Sequence, residues 1–141
     1  MKRLIALDLG TKKCGVAITD PLQIIAQSLE IIQYDAQDFE KIFLRLVEIK
    51  QEYGQIEAFI LGNPLMPSGD PSIMSKIVEK FKVKLQDYFQ IPVILVDERY
   101  SSKQSTQMMV EMNMTRQKQK QNRDKLAAQI ILTNYLNDYK K

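Results

Sequence analysis

Residues 3–20, "RLIALDLGTKKCGVAITD", read as two strands joined by a short turn, with a carboxylate where a strand should be apolar. The run "RLIALDLG" has the aliphatic content of a buried strand, yet Asp8 interrupts it. Aspartate is depleted from strands, and an unpartnered carboxylate in an apolar setting costs several kcal/mol or shifts its pKa. Asp8 therefore needs a partner, and a phosphate-binding turn and a metal ion both qualify. Gly10-Thr11-Lys12-Lys13 supplies the turn, and "CGVAITD" (14–20) returns as a second strand ended by Asp20-Pro21.

Working outward, "SLEIIQY" (28–34) makes a third strand, so the chain opens as a three-strand meander. From Phe39 to Tyr53 the apolar residues Phe39, Ile42, Phe43, Leu46, Ile49 and Tyr53 keep helical spacing, and Gly54 follows as a helix C-terminal glycine. "IEAFILG" (56–62) is a continuously apolar strand, followed by the turn-rich "NPLMPSGDPS" and a second helix carrying Met74, Ile77, Val78, Phe81, Leu85 and Tyr88. "IPVILV" (91–96) is a further buried strand leading into Asp97-Glu98-Arg99. Ser101 or Ser102 caps a helix running to about Met112, residues 113–121 lack periodicity and read as a loop, and a last helix starts at Asn122. The late strands alternate with helices and are apolar throughout, which predicts parallel strands covered on both faces. The expected class is α/β: a mixed five-stranded sheet, an antiparallel meander plus two parallel strands, flanked by helices in one domain spanning 1–141.

Composition narrows the chemistry. The 141 residues include no histidine and one cysteine, which removes a Ser-His-Asp triad, a Cys-His pair, a His-liganded zinc and an internal disulfide. Reactions near neutral pH then fall to carboxylates, lysines or a hard metal ion held by oxygen ligands. A lone Cys14 fits a reducing compartment, no apolar stretch approaches the roughly 18 residues of a membrane span, and no cleavage site follows the N-terminal run. The expectation is a cytoplasmic protein with no membrane partner. The net charge of +3 alone barely favours nucleic acid.

Three carboxylates stand where they could meet. Asp8 lies near the end of the first strand, and Glu98 lies just past a predicted parallel strand, at the carboxyl end where open α/β sheets place ligands. Asp124 opens the last helix and shares an inward face with Ala127, Ala128 and Ile131. If the first and last parallel strands are neighbours, the three converge, and such a cluster repels itself unless divalent cations bind. Blander readings stand beside this one: a first-turn acid for Asp124, a strand-end charge for Glu98, a structural partner for Asp8. Asp20 and Asp97 read as turn or surface acids, Cys14 as a small core residue, and "GNPLMPSGD" as a plain connection or a phosphate loop. "RQKQKQNRDK" (116–125) holds five basic residues and one acid, a solvated run or an RNA contact.

Four blocks now resemble, in order, those of the YqgF family of RNase H-like proteins, also called RuvX or Holliday-junction-resolvase-like proteins. "LDLGTKKCGVA" (7–17) is similar to the family's D-x-G-x-K-x-x-G-V-A, and "ILGNPLMPSG" (60–69) to its G-x-P-L-x-x-x-G loop. "VDERYSS" (96–102) is similar to its D-E-R-x-S-[ST] block, and "RDKLAAQIILTNYL" (123–136) to its C-terminal helix. Cys14, Asn63 and Pro67-Ser68 depart from the pattern, as does the Lys- and Gln-rich stretch 113–121; none touches the carboxylates. The resemblance implies an RNase H-like fold with Asp8, Glu98 and Asp124 as an acidic triad.

It also implies a metal-dependent nuclease for the 5′ end of pre-16S rRNA, acting in ribosome biogenesis. Two ions, Mg²⁺ or Mn²⁺, would sit about 4 Å apart at the triad. Lys12, Arg99, Arg116, Lys118, Lys120 and Arg123 are the candidates for holding structured RNA. The alternatives are a dimeric resolvase of four-way DNA junctions and a non-catalytic RNA-binding assembly factor; the oligomeric state, monomer or homodimer, stays open. Sugar kinases and actin-like ATPases share a D-x-G-T turn, but they need two such domains and a later glycine-rich motif that this chain lacks.

Overall fold

The computed structural model describes residues 2–35, 38–66, 68–97 and 115–139, with the backbone alone for 116–124 and 139. Its elements are β1 (Arg3–Leu9), β2 (Lys13–Thr19), β3 (Ala26–Gln33), α1 (Phe39–Tyr53), β4 (Ile56–Asn63), α2 (Ile73–Phe89), β5 (Val93–Asp97) and α3 (Arg116–Tyr139). The strands form one sheet in the order β3-β2-β1-β4-β5. β1, β2 and β3 are antiparallel in succession, β4 is parallel to β1, and β5 is parallel to β4. This is the mixed sheet read from the sequence, with β1 at its centre. The helix expected to end near Met112 lies outside the described residues.

Strand alternation divides the core in two. Ile5, Leu7 and Leu9 of β1 join a large cluster with Leu46 of α1, Phe59 of β4 and Phe81 of α2. Phe39 and Phe81 meet edge to face at 5.0 Å, a favoured aromatic geometry that locks α1 to α2. Leu4 and Ala6 face the other way and pack with Ala17, Ala58, Ala128, Ile131 and Leu132 under α3. Alanine on three strands and on the helix lets α3 lie close to the sheet. The helix ends follow local chemistry: Gly54 at φ 94° closes α1, and Ser72 and Ser75 cap each other at the start of α2.

One element differs in a way that matters. α3 begins at Arg116, so residues 116–121 are helical rather than a loop. The stretch lacks apolar periodicity, but it has no Gly or Pro, and Arg, Gln and Lys are good helix formers. Asp124 consequently lies more than two turns inside the helix instead of opening it. The reading of Asp124 as a first-turn acid favoured by the helix dipole falls with that.

Candidate active site

Asp8 comes two residues after Ala6 and so takes the α3 side of the sheet. Its partner on β2 is Gly15, whose partner on β3 is Ile31. On the other flank Leu7 pairs with Leu61, and one further step along that register brings Gly62 of β4 beside Asp8. Glycine on both flanks sets no strand side chain beside the carboxylate, and Asp8 is half-buried while residues 4–7 are fully buried. A cleft of about 280 Å³ opens there, lined by Asp8, Gly15, Ile31 and the turn 10–13. The exposed Lys12 lines this cleft too.

α3 lies across β1, β2 and β3 on the same side. Ser28 of β3 fixes it: the hydroxyl donates to the Lys125 carbonyl at 2.8 Å and lies 2.9 Å from Gln129 Oε1. Asp124 stands one turn before Ala128 and two before Ile131, both buried against the sheet. Its backbone position is therefore on the sheet-facing stripe, beside an anchored carbonyl, over the face that carries Asp8. The side chain of Asp124 lies outside the described residues, as do those of Arg116, Lys118, Lys120 and Arg123, whose positions fall in the first turns of α3.

Glu98 and Arg99 also lie outside the described residues; Asp97 before them is exposed at the end of β5. The sheet order corrects one premise. β1 and β5 are not neighbours, because β4 runs between them. Their ends stand two strand spacings apart, roughly 10 Å. Gly62, paired with Val96 of β5, is the residue that spans this gap.

The donor chemistry of the cleft suits a hard cation. Asp8 offers carboxylate oxygens in a partly open site. Cys14 is fully buried, and burial first, then the charge of Asp8, pushes its thiol far above the ordinary range, so it offers no thiolate. Among the described residues no three Asp, Glu, Cys or His side chains gather into a metal site, and the two carboxylates proposed to complete one lie beyond that set. The other readings hold: Cys14 is core, and Asp20 is a turn acid accepting from the N–H groups of Leu22, Ile24 and Ile25. Those bonds, the one from Ile25 foremost, lower the Asp20 pKa. The connection from β4 to α2 spends polar groups on itself, as when Ser72 donates to the Pro64 carbonyl and Ser68 to Asp70.

Two residues of the site carried no sequence signal. Ser28 is an unremarked strand serine, and Tyr34 looks like one more apolar residue at a strand end. Tyr34 is 4% exposed; its N–H donates to the Lys12 carbonyl at 2.9 Å and its hydroxyl to the Gly10 carbonyl. Burial, with a smaller contribution from Cys14, pushes its pKa up to about 12.

Comparison with known proteins adds to this geometry. Residues 2–138 match the family described as RuvX, Holliday junction resolvase. A proposed pre-16S rRNA nuclease of Streptococcus uberis is 40% identical over 135 residues, covering 95% of this chain and 96% of that protein. One from Mycoplasmopsis pulmonis is 38% identical over 138 residues, covering 97% and 94%. Among solved structures, T. thermophilus RuvC in complex with a Holliday junction substrate aligns with a TM-score of 0.55 at 14% identity, over 97% of this chain and 96% of that one. The fowlpox virus Holliday junction resolvase aligns at 0.54 and 16% identity, over 96% and 97%. At such identities the likeness establishes the fold, which is RNase H-like.

Proposed function

The chain belongs to the RuvX family described as Holliday junction resolvases, and from that footing we propose a metal-dependent nuclease that trims the 5′ end of pre-16S rRNA. The observation that carries the proposal is Asp8: a half-exposed carboxylate on the central strand, flanked by glycine, with the helix bearing Asp124 laid over the same face. Asp8, Glu98 and Asp124 would hold Mg²⁺ or Mn²⁺ through oxygen. When bound, such ions supply Lewis acidity, which lowers the pKa of an attacking water and offsets charge on the leaving oxygen. Lys12 at the cleft and Arg99 after β5 orient the phosphate backbone, while the basic start of α3 binds RNA beyond the scissile bond. No histidine base is required, in keeping with a chain that has none.

The substrate preference rests on the names of relatives near 40% identity, since the more distant likeness to junction resolvases speaks for fold alone. The test incubates purified protein with 5′-extended pre-16S rRNA and with a four-way DNA junction, each with Mg²⁺ and Mn²⁺, beside Asp8→Asn. Metal-dependent cutting of the RNA that the variant lacks supports the proposal. Cutting of the junction alone moves the assignment to DNA. Cutting of neither, with RNA still bound, turns it to a binding factor.

A further inference from the structure

The turn 10–13 is neither a type I′ nor a type II′ hairpin turn. Type I′ and II′ turns need a positive φ at one or both central residues, and none of residues 10–13 has one. Its order comes from hydrogen bonds: Gly10 N–H donates to the Lys13 carbonyl at 2.7 Å, while Tyr34 takes the carbonyls of Gly10 and Lys12, on either side of Thr11. One residue thus grips the turn twice, from its backbone and from its ring. The ring is buried 6.3 Å from Phe39 at the start of α1, which ties the turn to the main core. The outward result is an exposed Lys12 held at the mouth of the cleft beside Asp8.

Resting on the reading of this cleft as the nuclease site, we propose that Tyr34 is a positioning residue. It holds the β1–β2 turn so that Lys12 meets a substrate phosphate next to Asp8. A flexible lysine binds a phosphate more weakly, because the ordering entropy must then be lost on binding. Tyr34→Phe keeps the ring and removes the hydroxyl bond to Gly10.

The test measures steady-state cleavage by the full chain, on whichever of the rRNA or junction substrates the wild type cuts. Tyr34→Phe, Lys12→Ala and the double variant are compared, with melting temperature recorded for each. Tyr34→Phe should raise KM about threefold to tenfold with kcat within about twofold, the scale of one hydrogen bond. In the Lys12→Ala background it should add nothing. Gly10→Ala attacks the same turn from outside the core, since its Cβ would lie 3.1 Å from the Lys13 carbonyl oxygen, and should raise KM likewise. If Tyr34→Phe does not fold, Gly10→Ala with Lys12→Ala decides by the same criterion. Unchanged KM, or effects of the two sites that add, overturns the positioning role while the nuclease reading stands. A wild type that cuts neither substrate overturns both.

Discussion

Asp8 on β1 stands directly opposite Gly15 on β2, so the one carboxylate of the central strand faces a residue with no side chain. A methyl group at position 15 would enter the cleft that both residues line. Alanine also suits a strand better than glycine by roughly 0.5–1 kcal/mol, so the fold should tolerate the change. Gly15→Ala is expected to melt within a few degrees of wild type and to cut about tenfold or more slowly, since small displacements at a reacting centre are costly. Equal activity would show that the gap opposite Asp8 is incidental.

Ser28 ties α3 to β3 one residue beyond Asp124. Ser28→Ala removes this exposed hydrogen bond at a cost of about 1 kcal/mol. That should lower the melting temperature by about 2–4 °C for a chain of this size. Because the bond sets the height of α3 near Asp124, kcat should fall more than the stability loss explains. A loss confined to stability would separate the anchor from the site.

The helical state of residues 116–121 sharpens an electrostatic expectation. Arg116, Lys120 and Arg123 follow i, i+4 and i+7 spacing and share one stripe of α3, whereas Lys118 falls off it. Neutralising each stripe residue should weaken nucleic-acid binding and reduce the salt slope by about one unit per lost phosphate contact. Lys118→Gln should change the slope less. Salt slopes unchanged from wild type in all four variants would assign the segment to solvent.

Tyr34 gives a pH dependence with a definite sign. Its folded pKa, raised by burial to about 12, lies above the ordinary value of 10. Between those values the unfolded chain loses a proton that the folded one keeps, so stability falls as pH rises through this window. Wild type should lose stability from pH 10 to 12 more steeply than Tyr34→Phe, as denaturant titrations at each pH would show. Identical pH profiles would mean that the buried hydroxyl titrates normally.

Much of this was legible because periodicity and glycine placement are local. α1 runs from Phe39 to Tyr53 as its apolar spacing requires, and the buried runs around Phe59 and Val93 are parallel strands. Residues 116–121 misled because a run of Arg, Gln and Lys has no apolar period, although its composition favours helix. The position of β4 between β1 and β5 is a long-range pairing that no local pattern encodes. Asp8 announced itself by breaking a strand. Gly15 and Gly62 gain meaning only from register, and Tyr34 only from where its hydroxyl reaches.

The central claim is that Asp8 and Asp124 belong to one metal site, and thermal melting of wild type, Asp8→Asn and Asp124→Asn tests it without any substrate. In EDTA either variant should melt higher than wild type, because a neutral amide relieves repulsion among gathered carboxylates. With Mn²⁺ or Mg²⁺ at a hundredfold excess over Kd, wild type should gain about 2.7 kcal/mol. For a chain of this size that is about 5–10 °C, and the variants should gain far less. Variants that melt lower in EDTA and gain as much from metal as wild type would contradict the shared site and leave Asp8 a structural residue.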